Sequence, residues 1–362
     1  MSQKNSSQPK IAVAMSGGVD SGTAAFLLKK QGFRVFGIHL KLFATETESD
    51  RQNRQRVRKT ATMLGIPYEI IDLSQGFADE IIADFIVQYS HGQTPNPCVF
   101  CNPKIKFGKL LEYALDAGYD FLATGHYAKV RKVETGNQKR CKIRYELLKA
   151  SDAKKDQSYF LYRLNQKQLS KILFPLGNLT KEKVKMIAKS EKLPVAEASE
   201  SHEICFLKGE DYRQFLQRKI PQIFQPGPIQ STDGKIVGTH LGLPLYTIGQ
   251  RKGIKTHHNL PLYVKCLEMK TNTLIVGSQK DLMQDTIFLE NLSWVAGFAP
   301  ESENGYAVKI RYQGESTLCQ IAICGKDRVQ LLLKNEIFGV SPGQSAVIYK
   351  KNEVLGGGII VN

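Results

Sequence analysis

The 362-residue chain has no apolar run long enough to cross a bilayer, which excludes a membrane-spanning helix. Its opening residues are polar and only a short apolar run follows, so a secretory signal lacks its apolar core and a cytoplasmic protein is predicted. Acidic residues are scarce, 34 against 50 Lys and Arg, and the resulting charge of +16 is spread along the chain. That imbalance points to a polyanionic partner, nucleic acid first. The lack of a long basic amphipathic helix argues against a membrane surface. Cysteine is sparse and odd in number, seven in all, which does not fit a secreted disulfide framework. Only one Cys-x-x-Cys is present, which argues against a structural zinc site. The Gly-Lys pairs at Gly108, Gly234 and Gly325 are not followed by Ser or Thr, so a Walker loop is absent. Internal repeats and low-complexity tracts are missing too.

What is present begins with Ala14-Met15-Ser16-Gly17-Gly18-Val19-Asp20-Ser21, between the apolar Ile11-Ala12-Val13 and the helix-like run from Gly22 to Leu28. It reads as strand, loop and helix. Two glycines let backbone approach a ligand closely, the first helical turn offers N–H groups without intrahelical partners, and Ser16 and Ser21 add hydroxyls. Such a loop suits phosphate. Ser-Gly-Gly-Val-Asp-Ser resembles the signature of the PP-loop ATP pyrophosphatases, which cleave ATP between the α and β phosphates and transfer AMP to a carbonyl oxygen.

Strand-like runs at Ile11 to Met15, Val35 to Leu40, Tyr68 to Asp72 and Asp120 to Thr124 alternate with helical patterns at Gly22 to Gln31, Arg51 to Leu64, Phe77 to Ser90 and Ile105 to Ala117. The alternation predicts an α/β domain with a parallel sheet, whose ligands bind beyond the carboxyl ends of the strands. A hairpin is predicted around Glu134 to Asn137, and helical patterns resume from Lys154 to Lys192. Glycine and proline then thicken, and short alternating runs at Tyr306 to Tyr312, Thr317 to Ile323, Arg328 to Leu333 and Ser345 to Lys350 predict a β-barrel or sandwich. The expected domains are 1–210 (catalytic, nucleotide-binding), 211–273 (small, connecting) and 274–362 (β-barrel).

Thr94-Pro95-Asn96-Pro97-Cys98-Val99-Phe100-Cys101-Asn102 reads as a stiff loop ahead of a helix at Ile105. Cysteines so placed, with Lys104, Lys106 and Lys109 nearby in sequence, are expected to have lowered thiol pKa values. A further candidate, Cys205, lies in Ser199-Glu200-Ser201-His202-Glu203-Ile204-Cys205-Phe206. Cys141, Cys266, Cys319 and Cys324 sit in strand-like runs, where cysteine behaves as a small apolar residue.

Six segments carry a closer resemblance: the Ser16 to Ser21 loop, Thr94 to Phe107, Ala123-Thr124-Gly125-His126-Tyr127, Lys155-Asp156-Gln157-Ser158-Tyr159-Phe160-Leu161, Glu203 to Phe206, and Tyr246 to Gly253. In that order they resemble the tRNA-specific 2-thiouridylases over nearly the whole chain. The resemblance implies a PP-loop domain of the adenine nucleotide α hydrolase type, a central domain and a C-terminal β-barrel. It implies thiolation of the wobble uridine of tRNAs for lysine, glutamate and glutamine, with ATP and Mg2+. ATP adenylates the C2 oxygen, and a cysteine persulfide then attacks C2. By position Cys205 matches the persulfide-bearing residue and Cys101 its partner nucleophile, able to close a disulfide with Cys205 as sulfur leaves. Ala14, Met15, Ser16, Gly17, Gly18, Val19, Asp20 and Ser21 would contact ATP, with Asp20 near magnesium and the pyrophosphate. Leu40 and Gly125 would complete that pocket. Asn96, Pro97 and Cys98 would border the target base. Lys155, Asp156, Gln157, Arg311 and Tyr312 would touch the tRNA. A cysteine desulfurase or a sulfur-relay protein would supply sulfur.

The chain departs from that pattern in places. Cys98 stands where several members have aspartate, so Cys98, Cys101 and Cys205 could alternatively ligate a [4Fe-4S] cluster with one open iron. Gly37-Ile38-His39-Leu40-Lys41 replaces a more usual Phe-Met-Lys ending. The stretch from Arg51 to Lys59 is unusually basic, either an added tRNA-facing surface or a solvated helix face. A different class, an amide- or amidine-forming ligase with the same loop, would have no need of the cysteines.

Overall fold

The computed structural model describes residues 8–135, 142–198, 204–254, 261–301, 305–325 and 327–361. The N-terminal part contributes strands β1 (Lys10–Ala14), β2 (Arg34–Lys41), β3 (Tyr68–Asp72), β4 (Phe121–Ala123), the pair β5 (Lys129–Thr135) and β6 (Lys142–Leu148), and short β7 (Ile172–Leu173). A five-stranded sheet, all parallel, has the order β3-β2-β1-β4-β7. Its central strand explains its own sequence: Ile11, Ala12 and Val13 are fully buried because both faces of a parallel sheet are covered.

Helix α1 (Val19–Lys30) turns Val19, Ala24, Ala25 and Leu28 inward, and α2 (Glu48–Leu64) starts at a reciprocal cap between Thr47 and Asp50. Gly65, left-handed at φ +59°, ends α2. The second and fourth helical patterns begin earlier than the sequence suggests. Cys98–Cys101 already forms the first turn of the helix expected at Ile105, with Asn96 Oδ1 accepting from Cys98 N at 3.2 Å. Pro103 lacks an N–H, and the run Asn102–Lys109 widens to π spacing before Leu110–Asp116 closes as regular helix. The predicted helical stretch from Lys154 to Lys192 is mostly something else. A 3₁₀ turn at Ser158–Leu161, a short turn at Gln166–Leu169 and β7 precede the single longer helix Lys181–Ser190.

Strands β8 (Gly227–Ser231), β9 (Ile236–His240), β10 (Tyr263–Glu268) and β11 (Thr273–Gly277) form a separate sheet in the order β10-β11-β8-β9. Thus Leu274 onward does not open the barrel: β11 pairs with β8 and β10. The barrel proper comprises β12 (Met283–Trp294), β13 (Tyr306–Lys309), β14 (Thr317–Ile323), β15 (Val329–Phe338), β16 (Ser345–Lys350) and β17 (Glu353–Val361), closed by the β12–β17 pairing. At the closure Gly356 sits at φ +146°, where a Cβ would fall 2.2 Å from Ser293 O, so only glycine fits.

The barrel is tied to the first domain at several places. The start of β17 pairs with β6, so the predicted hairpin exists but extends the C-terminal sheet, its turn lying outside the described residues. Tyr159 Oη also donates to Ser345 O at 2.8 Å, within a core that mixes Phe107, Tyr159 and Tyr162 with Val347 and Tyr349. Among the described residues no helix is long and apolar enough to cross a membrane.

Candidate active site

The loop after β1 is held open by its own serines. Ser21 Oγ accepts from Ser16 N at 3.0 Å and donates to Gly18 O at 3.2 Å, and Gly18 N lies 3.4 Å from Ser16 Oγ. Gly17 takes φ +84°, and no side chain caps α1 at Gly18, so the first-turn N–H groups face outward unpartnered by a cap. β2 braces the entry to the loop through Met15 N to Ile38 O (2.7 Å) and His39 Nδ1 to Met15 O (2.8 Å). Met15, Gly17, Val19 and Ser21 are buried, while Ser16 is exposed and Ala14, Gly18 and Asp20 are half-buried. Leu40 lies at the end of β2, packed against the main core.

Asp20 has two partners. Its carboxylate accepts from Tyr127 Oη at 2.8 Å and pairs with Lys181 Nζ at 2.7 and 2.8 Å. Lys181 is buried, with 5% of its side chain exposed against 34% for Asp20, so the pair presents its acidic end to solvent. Gly125 closes the opposite wall: a Cβ there would come within 2.8 Å of Asp20 C and Ser21 N. Next to it, His126 Nδ1 meets Thr124 Oγ1 at 2.8 Å, and its ring stands against Phe107 and Phe174. Burial among these rings, then the charge of Lys106, hold its pKa well below the usual 6.5, so the imidazole is neutral.

The cysteines gather beside this wall. Cys101 shares one apolar cluster with Phe77, Phe85, Ile204 and Phe206, and Cys205 stands between the last two in the chain. Leu42, Phe43 and Leu73 of the same cluster directly follow β2 and β3, which puts it at the carboxyl end of the sheet. Cys101 is buried, Cys98 half-buried and Cys205 exposed, and all three thiols are free. The expectation of lowered pKa values is overturned. Loss of solvent around the sulfurs pushes Cys101 up to about 11 and Cys205 up to about 12, and raises Cys98. Lys106 opposes the rise at each of the three but does not offset it. The other two lysines are engaged elsewhere: Lys109 pairs with Glu80 at 2.6 Å, and Lys104 lies over the Phe100 ring. Ser199 to Glu203, ahead of Cys205, lie outside the described residues, as does Cys141. Among the described residues no group of three His, Cys, Asp or Glu side chains is placed to hold a metal ion. Cys98, Cys101 and Cys205 as arranged do not form such a group.

The remaining predicted residues divide by role. Pro97 is buried, and Asn96 uses its side chain to cap Cys98. The buried Asp156 carboxylate accepts from Ala150 N (2.9 Å) and Ser158 Oγ (2.8 Å), and Gln157 Oε1 accepts from Tyr127 N (3.0 Å). Both side chains therefore hold the loop, while half-buried Lys155 flanks it. Tyr312 packs on Phe160 with centroids 4.4 Å apart, and Asp156 raises its pKa after burial does, so this barrel residue meets the 155–157 segment. Arg311 is exposed and donates to Gly339 O. Lys181 and Arg56 escape a sequence reading. Lys181 stands in an ordinary amphipathic helix, and Arg56 in a charge run whose other members face solvent.

Family models match most of the chain: a tRNA methyl transferase HUP domain at residues 9–209, a tRNA methyl transferase PRC-barrel domain at 213–278 and an aminomethyltransferase beta-barrel domain at 284–360. The tRNA-specific 2-thiouridylase MnmA 2 of Thermoanaerobacter pseudethanolicus is 42% identical over 360 residues, covering 97% of each chain. That of Ralstonia pickettii is 43% identical over 366 residues, covering 98% of this chain and 96% of its own. Identity at this level over the full length of both partners, on a fold with an open phosphate loop and gathered thiols, shows that the chain belongs to the MnmA family of tRNA-specific 2-thiouridylases.

Proposed function

We propose that this protein uses ATP to convert the wobble uridine of tRNAs for lysine, glutamate and glutamine to 2-thiouridine, with Cys205 and Cys101 as its sulfur chemistry. The observation that carries the reading is the shared packing of Cys101 with Ile204 and Phe206, at the sheet end where the nucleotide loop also opens. The uracil C2 oxygen attacks the α-phosphorus of ATP and pyrophosphate leaves. The terminal sulfur of a Cys205 persulfide then adds to C2 and AMP departs. Attack by Cys101 on Cys205 Sγ breaks the remaining S–S bond, leaving sulfur on C2 and a Cys101–Cys205 disulfide that a reductant must reopen. Exposure suits Cys205 to loading by a desulfurase or relay protein, and burial suits Cys101 to an internal role.

Asp20 fits magnesium, because its oxygen-donor carboxylate is a third exposed and stands in the first turn of α1, directly after the loop. When bound with ATP the ion neutralises phosphate charge. Asn96, Pro97 and Cys98 border the space ahead of Cys101 where an unstacked uridine would enter. Lys155, Arg311 and Tyr312 fall along the path of the tRNA, and the +16 charge supplies phosphate attraction. A cytoplasmic setting agrees with reduced thiols.

The test is mass analysis of wobble nucleosides after incubation with ATP, magnesium, a sulfur source and unmodified tRNA. C101S and C205S should each abolish thiolation while sparing ATP binding. Retained thiolation in either variant would remove the persulfide route and favour the ligase class.

A further inference from the structure

We infer that Arg56 is a positioning residue for the phosphate-binding backbone of the nucleotide loop; this rests on the loop binding ATP as proposed above. The basic run from Arg51 to Lys59 is not a uniform solvated face. Arg51 pairs with Glu48 and Arg54 with Glu46, whereas Arg58 and Lys59 are exposed. Arg56 turns the other way. Its Nε donates to Gly17 O at 3.0 Å, and its Nη2 donates to Asn53 Oδ1 at 2.6 Å.

The consequence follows from peptide geometry. A trans peptide fixes its C=O and the next N–H in opposite directions. Drawing the Gly17 carbonyl toward Arg56 therefore aims Gly18 N–H away from α2, toward Ser16 Oγ at 3.4 Å and the concave side of the loop. Asn53 fixes the guanidinium from one helical turn away, and α2 is pressed so closely on the loop that a Cβ at Gly17 would lie 2.5 Å from Asn53 O. Gly17 has no freedom to rotate without leaving α2. Arg56 thus sets the direction of an N–H that would meet the pyrophosphate end of ATP, and places a half-buried positive charge behind it. Lysine has no planar fork to bridge the Gly17 carbonyl and the Asn53 amide together.

The experiment is calorimetric titration of wild type, R56A, R56K and R58A with ATP, inorganic pyrophosphate and AMP, all with magnesium. R56A should weaken ATP and pyrophosphate by about tenfold or more, the scale of one charge-assisted hydrogen bond, with AMP changed less than about threefold. R56K should recover little of the loss, and R58A should match wild type. The inference is overturned if R56A binds ATP like wild type, if ATP and AMP weaken equally, or if R56K restores binding in full. Wild type that binds neither ATP nor pyrophosphate would instead remove the nucleotide reading, and the role of Arg56 with it.

Discussion

Lys181 Nζ lies 2.7 and 2.8 Å from the two carboxylate oxygens of Asp20, joining a buried helix start to the first turn of α1, 161 residues earlier. The pair is asymmetric, because the cation is enclosed and the anion partly open to water. Tyr127 adds a hydroxyl to the same carboxylate.

That asymmetry sets unequal outcomes for the two halves of the pair. D20N takes a carboxylate away from a buried ammonium and should destabilise the fold by about 2 kcal/mol, below the range for fully enclosed pairs because Asp20 is partly solvated. K181M removes the buried charge and leaves Asp20 to Tyr127 and water, so it should cost about 1 kcal/mol or less. Urea denaturation of both variants checks the order. Equal losses, or a larger loss for K181M, would contradict it.

Gly125 should tolerate no side chain. In G125A the new methyl meets backbone atoms at 2.8 Å rather than a flexible side chain, so the wall must retreat from α1. The expected result is a loss of about 1–3 kcal/mol in stability together with weakened ATP binding. Melting curves with and without ATP separate the two effects.

The raised thiol pKa values predict slow alkylation despite exposure. Cys205, pushed up to about 12, should react with iodoacetamide at pH 7.5 at least about tenfold more slowly than a small free thiol. Its rate should climb about tenfold per pH unit past pH 10, as the thiolate fraction grows. Cys101, buried, should stay unmodified in the folded protein. Peptide mass spectrometry across pH reads both, and a rate plateau near pH 8 would contradict the assignment.

His126 should make the fold acid-sensitive. The unfolded imidazole takes up a proton near pH 6.5 and the folded one only at much lower pH. Between those values the unfolded chain binds more protons, so stability falls as the pH drops below 6.5. H126N removes the titrating ring and should flatten that part of the profile, measured by denaturant midpoints between pH 4.5 and 7.5.

Much of this protein was legible in its sequence where periodicity is local. The buried run Ile11-Ala12-Val13, the glycine pair at Gly17 and Gly18, and the recurring strand and helix patterns specify a parallel sheet with a loop at its carboxyl end. Backbone sterics and burial on both faces leave few alternatives there. The strands β12 and β17 were illegible: polar residues interrupt the first, and Gly356-Gly357-Gly358 in the second reads as a turn, though it forms the tight closure of a barrel. The cysteine motifs identify which residues gather, but their acidity was misjudged. Nearby lysines in sequence suggest lowered thiols, whereas only the packed cluster of Phe77, Phe85 and Phe206 reveals how strongly desolvation dominates.

The sequence by itself determined the main elements of the parallel sheet, the phosphate loop and the three cysteines, because each is written in contiguous residues whose backbone and side-chain preferences act over a few positions. Tertiary structure alone decided the partner of Asp20, the inward turn of Arg56 and the protonated state of the thiols. Those depend on charges and apolar surfaces far apart in the chain, whose energies exist only once folding has brought them together and excluded water.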